Sequence, residues 1–344
     1  VAVLAGVAAT QGLGVALTAC VIAGIIHFLL GSVIGSLRWM FPPLVTGLVI
    51  LAIGLYLIPV GIKYAAGGAA DFQMAADSFG SLKHWSVALC VIIVALLCKF
   101  LSSGLISNAA VLIGIIAGYL LAFANGMVNF APVGAASWFA GLQPFPYGFE
   151  FSLGAVIGVT LVSIVSAIET VGDASATTKA GAGREATDEE ISGATYADGL
   201  GTAVAGVFGG LPNTSFSQNV GIVGMTGIMS RHVVTIAGII MVICGLIPKI
   251  GAIVASMPLP VLGGGVIVMF GMVASAGMNV LGEIKMTRRN MVIIALSLSI
   301  GLGLNLVPSA VQYLPGIVKV LATSAVAPTA LVAVVLNLIL PHEE

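Results

Sequence analysis

The chain has 344 residues, 59% of them hydrophobic and only 7% charged, with twelve Lys+Arg against thirteen Asp+Glu. So few charges cannot cover the surface of a folded soluble monomer of this size, in which about a quarter of residues are charged. The same balance excludes a disordered chain, a coiled coil and a nucleic-acid binder with a basic face. A polytopic membrane protein remains. The mean hydropathy is +1.17, and at roughly 20 residues per crossing the length allows about ten spans.

In chain order, the first residues Val1-Ala2-Val3-Leu4-Ala5 already lie in an apolar run, with no initiator Met and no preceding charges. This does not read as a signal peptide, and a fragment lacking its true start is expected. Apolar runs follow at 11–35, 41–62, 86–101, 108–125, 151–172, 196–211, 216–229, 233–256, 260–281, 290–306 and 323–340. These make about eleven candidate spans, several of them short for a regular crossing. An amphipathic linker is expected at 63–85, a Pro-, Gly- and aromatic-rich connection at 127–150, and a hydrophilic loop at 174–195. With the spans alternating, Arg38, Lys99, Lys179, Arg184, Arg231, Lys285, Arg288 and Arg289 fall on one side, and Lys63, Lys83, Lys249 and Lys319 on the other. The excess places the first set in the cytoplasm.

Forty-five glycines suit close helix contacts and broken segments. Cys20, Cys90, Cys98 and Cys244 all sit in apolar runs without a CxxC pair or a Cys/His cluster, so they read as packing residues and no metal site is expected. His27 reads as a packing residue in an apolar run, and His84, His232 and His342 as loop, interface or tail.

Carboxylates at membrane depth are costly and mark function. Glu169 and Asp173, in SIVSAIETVGD, lie four residues apart and share one helical face. Asp173, and Asp198 at the start of the next apolar run, also fit a capping role at helix ends near the interface. A second cluster, Thr214-Ser215-Phe216-Ser217-Gln218-Asn219, precedes the glycine-rich VGIVGMTG. Extended structure before Asn219 and helix after it give a broken segment whose helix N-terminus points into the bundle with free N–H groups. Gln218 has the donors and acceptor needed to read the edge of a planar heterocycle. A short, Pro/Gly-interrupted hydrophobic pair of this kind points to a transporter binding site. No Gly-x-Ser-x-Gly or His-Glu-x-x-His motif supports an intramembrane enzyme.

QNVGIVGMTG (218–227) resembles the signature of the nucleobase–ascorbate transporters, the nucleobase:cation symporter-2 family, through Gln218, Asn219, Gly221, Thr226 and Gly227. Supporting matches are FPPLVTG (41–47), LIPVGI (57–62), AIETVGD (167–173), ADGLGT (197–202) and LPNTSFSQN (211–219). The resemblance implies an all-α polytopic membrane protein of two inverted seven-span repeats, with a short strand in a broken helix. Family members have about fourteen spans, so the first two and most of the third are expected to be missing. It implies core spans at 1–35 and 151–258, gate spans at 36–126 and 259–344, and an outer connection at 127–150.

By the same resemblance, Glu169, Gln218, Phe216 and Ser217 contact substrate, while Glu169, Asp173, Asp198 and Asn219 form the proton-coupling and core network. Gln218 and Gly227 are similar to the xanthine and urate carriers, whereas uracil-type members carry Glu at the first of these positions. The implied activity is proton-coupled import of xanthine and/or uric acid across the cytoplasmic membrane by alternating access. A uracil or other nucleobase carrier and a sodium-coupled member are the alternatives. No cofactor is expected beyond H+ as coupling ion. The implied partners are a purine and the lipid bilayer, with no nucleic acid, and a homodimer through the gate.

Overall fold

The computed structural model describes residues 2–35, 42–74, 76–216, 219, 223 and 227–341, and these are helical or irregular with no strand among them. The helices are α1 (Ala2–Gln11), α2 (Leu13–Ile34), α3 (Pro43–Ala65), α4 (Ala69–Gln73), α5 (Leu82–Leu101), α6 (Gly104–Asn108), α7 (Ala110–Ala124) and α8 (Ala131–Ala135). They continue with α9 (Leu153–Ala182), α10 (Asp188–Val207), α11 (Arg231–Gly245), α12 (Pro248–Ala255), α13 (Leu259–Gly282), α14 (Arg288–Leu306), α15 (Gly316–Ala322) and α16 (Val326–Ile339).

Six of these (α2, α3, α5, α9, α13 and α14) are long and apolar enough to cross a membrane, and α11 with α12 forms a seventh candidate bent by 89°. The single crossing expected at 233–256 is therefore broken. The cause is local: Pro248 lacks an N–H and disfavours helical backbone at Ile247, whose φ of −114° and ψ of 89° leave the helix. The expected spans 108–125 and 323–340 appear as the shorter apolar helices α7 and α16. The expected span 216–229 lies mostly outside the described residues.

The hydrophilic loop expected at 174–195 is mostly helix. α9 runs on to Ala182 and ends at Gly183, whose φ of 66° is left-handed. α10 begins eight residues earlier than its apolar run suggests, behind a capping box. The Thr187 hydroxyl accepts from Glu190 N at 3.2 Å and the Glu190 carboxylate accepts from Thr187 N at 2.9 Å. Asp188 and Glu189 complement the helix dipole in the first turn. Only residues 183–187 separate the two helices.

The chain divides into two compact units. The first comprises residues 1–56, 143–227 and 273–344. Its cores are apolar clusters around Ala16, Ala19 and Val159, around Leu48, Leu281 and Ile293, and around Ala167, Val171 and Ile191. The second comprises residues 57–142 and 228–272, and its core gathers Val87, Val91, Ala122 and Val261.

Small residues set helix separation in the first unit. A Cβ on Gly24 would lie 2.5 Å from Ala203 N, and one on Gly199 would lie 2.2 Å from Phe28 N, so α2 and α10 meet backbone to backbone. In the same unit the buried Arg289 of α14 donates from Nη2 to Asn337 O at 2.6 Å and from Nε to Leu340 O at 3.1 Å. It thereby satisfies carbonyls at the end of α16 that the helix itself leaves open.

Candidate functional site

The site is built on α9. Its sequence places Thr160, Ser163, Ser166, Glu169, Thr170 and Asp173 at steps of three or four, so these polar groups share one side of an otherwise apolar helix. Three neighbours of the first unit meet that side: α2, α10 and the irregular segment 211–216.

The irregular segment runs along α9 and bonds to it in sequence order. Pro212 cannot donate to a helix, so its neighbours take side-chain partners instead. Asn213 is held to α10: its N–H donates to Thr202 Oγ1 at 3.0 Å, and the Thr202 hydroxyl lies 3.2 Å from Asn213 O. Thr214 Oγ1 lies 2.8 Å from Ser166 Oγ and 3.5 Å from Glu169 Oε2. Ser215 Oγ donates to Asp173 Oδ2 at 2.6 Å. Residues 214–216 are thus irregular and docked along the acid-bearing side of α9, with Phe216 exposed at 53%.

The three acids occupy different surroundings. Glu169 is half-buried. Asp173 is buried, 4% exposed, in the interior of α9. Asp198 is half-buried in the interior of α10, where its Oδ2 accepts from Thr170 Oγ1. The capping reading of Asp173 and Asp198 therefore fails for both. α9 continues nine residues beyond Asp173 and α10 begins ten before Asp198, because the polar stretch between them folds as helix. All three acids instead bond to hydroxyls: Glu169 to Thr214, Asp173 to Ser215 and Asp198 to Thr170.

Ser217, Gln218, Gly221 and Thr226 lie outside the described residues. Asn219 has helical backbone, is exposed, and donates its N–H to Phe216 O at 2.9 Å. Gly227, with φ of 65°, donates to Val223 O at 2.8 Å.

Sequence reasoning singled out the acids and the cluster holding Thr214 and Ser215, but not Thr170 or the other hydroxyls of the site. Ser163, Ser166 and Thr170 carry no individual signal, and their three-and-four spacing on α9 is the pattern that marks them; Thr202 of α10 carries none either. His27, read as packing, is 1% exposed, and its Nδ1 lies 2.7 Å from Ser163 Oγ. Among the described residues no group of three His, Cys, Asp or Glu could hold a metal ion. The arrangement offers a carboxyl, hydroxyls and an irregular backbone, groups that bind a polar planar molecule and move a proton.

The structure is similar to the transmembrane domain of a cyanobacterium bicarbonate transporter, BicA, with a TM-score of 0.60 at 16% identity, over 97% of this chain and 80% of that one. That likeness shows the fold, and the long apolar helices within it are those of a multi-pass membrane protein. The sequence model Xan_ur_permease, described as "Permease family", matches residues 1–310, and the chain belongs to that family. It is 39% identical over 322 residues to the uric acid transporter UacT of Escherichia coli, covering 93% of this chain and 66% of that protein. It is 38% identical over 333 residues to the uric acid permease PucK of Bacillus subtilis, covering 96% of this chain and 76% of that one. The xanthine permease XanQ of Escherichia coli is 37% identical over 309 residues, 89% of this chain and 66% of its own.

Proposed function

We propose that this permease is a proton-coupled symporter that imports a purine nucleobase, xanthine and/or uric acid, across the cytoplasmic membrane. The observation that carries the reading is the docking of Thr214 and Ser215 along Glu169 and Asp173, because the same segment leads within three residues to Gln218. Relatives of similar sequence named for uric acid and xanthine support the substrate class.

Glu169 and Gln218 are the proposed side-chain contacts, with Phe216 and Ser217 lining the ligand. Asp173, Asp198 and Asn219 hold the surrounding network, and Gly221, Thr226 and Gly227 belong to the motif that shapes the broken segment. A neutral carboxyl is far cheaper to hold at membrane depth than a charged one. A proton taken from outside therefore lets Glu169 meet the purine edge, and its loss inside weakens binding. Core spans (1–35, 151–258) then move against gate spans (36–126, 259–344), and no cofactor takes part. A homodimer through the gate spans follows from the resemblance; cross-linking in the native membrane is expected to trap a species of two chains, and a monomer alone would refute it.

The substrate reading is tested by uptake of radiolabelled xanthine into cells expressing the whole protein. Unlabelled xanthine or urate is expected to compete, uracil and ascorbate are not, and a protonophore abolishes accumulation. Competition by uracil alone supports the pyrimidine alternative. Uptake that follows a sodium gradient and ignores the protonophore supports the sodium-coupled one.

A further inference from the structure

The proposed mechanism leaves His27, a buried titratable group in the polar interior of the first unit, without a task. It lies on α2, faces α9 and α10, and is 1% exposed. One ring nitrogen, Nδ1, meets Ser163 Oγ at 2.7 Å, and among the described residues the other, Nε2, is buried without a hydrogen-bond partner. One turn before Ser163 on α9, Thr160 Oγ1 is likewise buried without a partner among the described residues.

A buried polar atom left open costs about 1–3 kcal/mol, so a plain packing role would be met better by an apolar residue. Imidazole differs from every such replacement in one respect: it can take a proton near neutral pH. Its surroundings can answer that charge. Burial is the larger electrostatic influence on the ring and opposes a charge there, and Asp198 of α10 acts in the other sense. Further along the same helix, Tyr196 lies against Gly31 of α2. From α9 the titratable groups are Glu169 and Asp173, six and ten residues beyond Ser163, and Lys179 in the last turn; α1 carries none, and α2 itself adds only Cys20.

We propose that His27 is a second proton-binding site of the transport core, a positioning residue that acts on Glu169 through Asp198 and the hydroxyls of α9. A hydronium ion gives its proton to the ring nitrogen that lacks one: an N–H bond forms, one O–H bond breaks, and water leaves. Both nitrogens then donate, and the positive ring attracts Asp198. Asp198 also accepts from Thr170, the residue next to Glu169 in sequence. Protonation of His27 therefore competes with Thr170 for one carboxylate and shifts the side of α9 on which the substrate acid sits. The inference rests on the proton-coupled reading above.

The test compares xanthine uptake by the whole protein with that of His27→Asn between about pH 5.5 and 8, the range in which imidazole titrates. Asparagine keeps an amide near the position of Nδ1 for Ser163 but takes up no proton. We expect the xanthine KM to stay within about threefold of wild type, while the pH dependence of the maximal rate flattens by at least about threefold. A variant present at wild-type levels that follows the wild-type pH profile overturns the proposal. If wild type is itself indifferent to the proton gradient, the coupling reading fails, and this one with it. Should the variant not reach the membrane, the histidine ring signals of 15N-labelled wild-type protein decide. Four histidines are present, and the signal that moves in Ser163→Ala is that of His27. Titration of that signal above about pH 5 supports the proposal, and a ring neutral throughout overturns it.

Discussion

Thr170 and Ser215 show how a membrane interior accommodates acids. Each donates to a carboxylate on a neighbouring element, Asp198 and Asp173, so that an expensive group carries a fixed hydrogen bond. Thr170→Val removes the donor while keeping the shape. It is expected to cost about 1–3 kcal/mol, read as an earlier thermal unfolding of the detergent-solubilised protein, with Thr170→Ser restoring most of the loss. Equal unfolding temperatures for wild type and the valine variant would show that the bond contributes nothing. Glu169, Asp173 and Asp198 were legible in the sequence because an acid in an apolar run is rare. Thr214 and Ser215 were marked as a polar cluster but not as their partners, and Thr170 was not marked at all, since serine and threonine are common in membrane helices and only the neighbouring helices reveal which side of α9 is occupied.

At the scale of elements, helix ends and helix contacts follow different signals. The start of α10 is set by chemistry rather than hydropathy. The Arg184 guanidinium, bonded to Glu190 at 2.6 and 2.9 Å, and the Thr187 N–H together hold the Glu190 carboxyl down at about 2, below its ordinary 4.5. A depressed acid stabilises the fold above its unfolded value and loses that contribution as pH falls through the folded one. Protection of the amides at the first turn of α10, taken relative to their intrinsic exchange rate, is therefore expected to be unaffected by this group between about pH 5 and 8 and to weaken as pH drops from about 4.5 toward 2. Protection that weakens near neutral pH would contradict the assignment.

Glycines in α10 give a second test. Gly199→Ala puts a Cβ 2.2 Å from Phe28 N and must push α2 away, whereas Gly193→Ala meets nothing within 4 Å. The first is expected to lose about 1–3 kcal/mol by overpacking, and the second to gain up to about 1 kcal/mol in helix propensity, both read from thermal unfolding. The reverse order would mean that the two helices do not meet backbone to backbone. The capping box TDEE is present in the sequence, but the loop was read from hydropathy alone, which does not register a cap. The close glycine contacts depend on a long-range pairing of α2 with α10 that local pattern does not carry.

For the molecule as a whole, composition decided the class before any motif did, because 7% charge leaves only the bilayer as solvent. The number of crossings was less legible. Hydropathy counts apolar residues but not breaks, and the bend of 89° at Pro248 divides one run into two helices. The family was legible from QNVGIVGMTG, and the permease model over residues 1–310 places the chain there. The docking of Thr214 and Ser215 along α9 was only partly legible: the sequence marked a broken segment but not the helix it lies against.

The central claim is that Glu169 couples a proton to purine movement. Reconstitution of the whole protein and its Glu169→Gln variant in proteoliposomes tests it most directly, with radiolabelled xanthine outside and an imposed inward proton gradient. The account predicts that wild type concentrates xanthine severalfold, while the variant, keeping the shape but not the titrating group, only equilibrates it. Uphill accumulation by the glutamine variant equal to that of wild type would contradict the account.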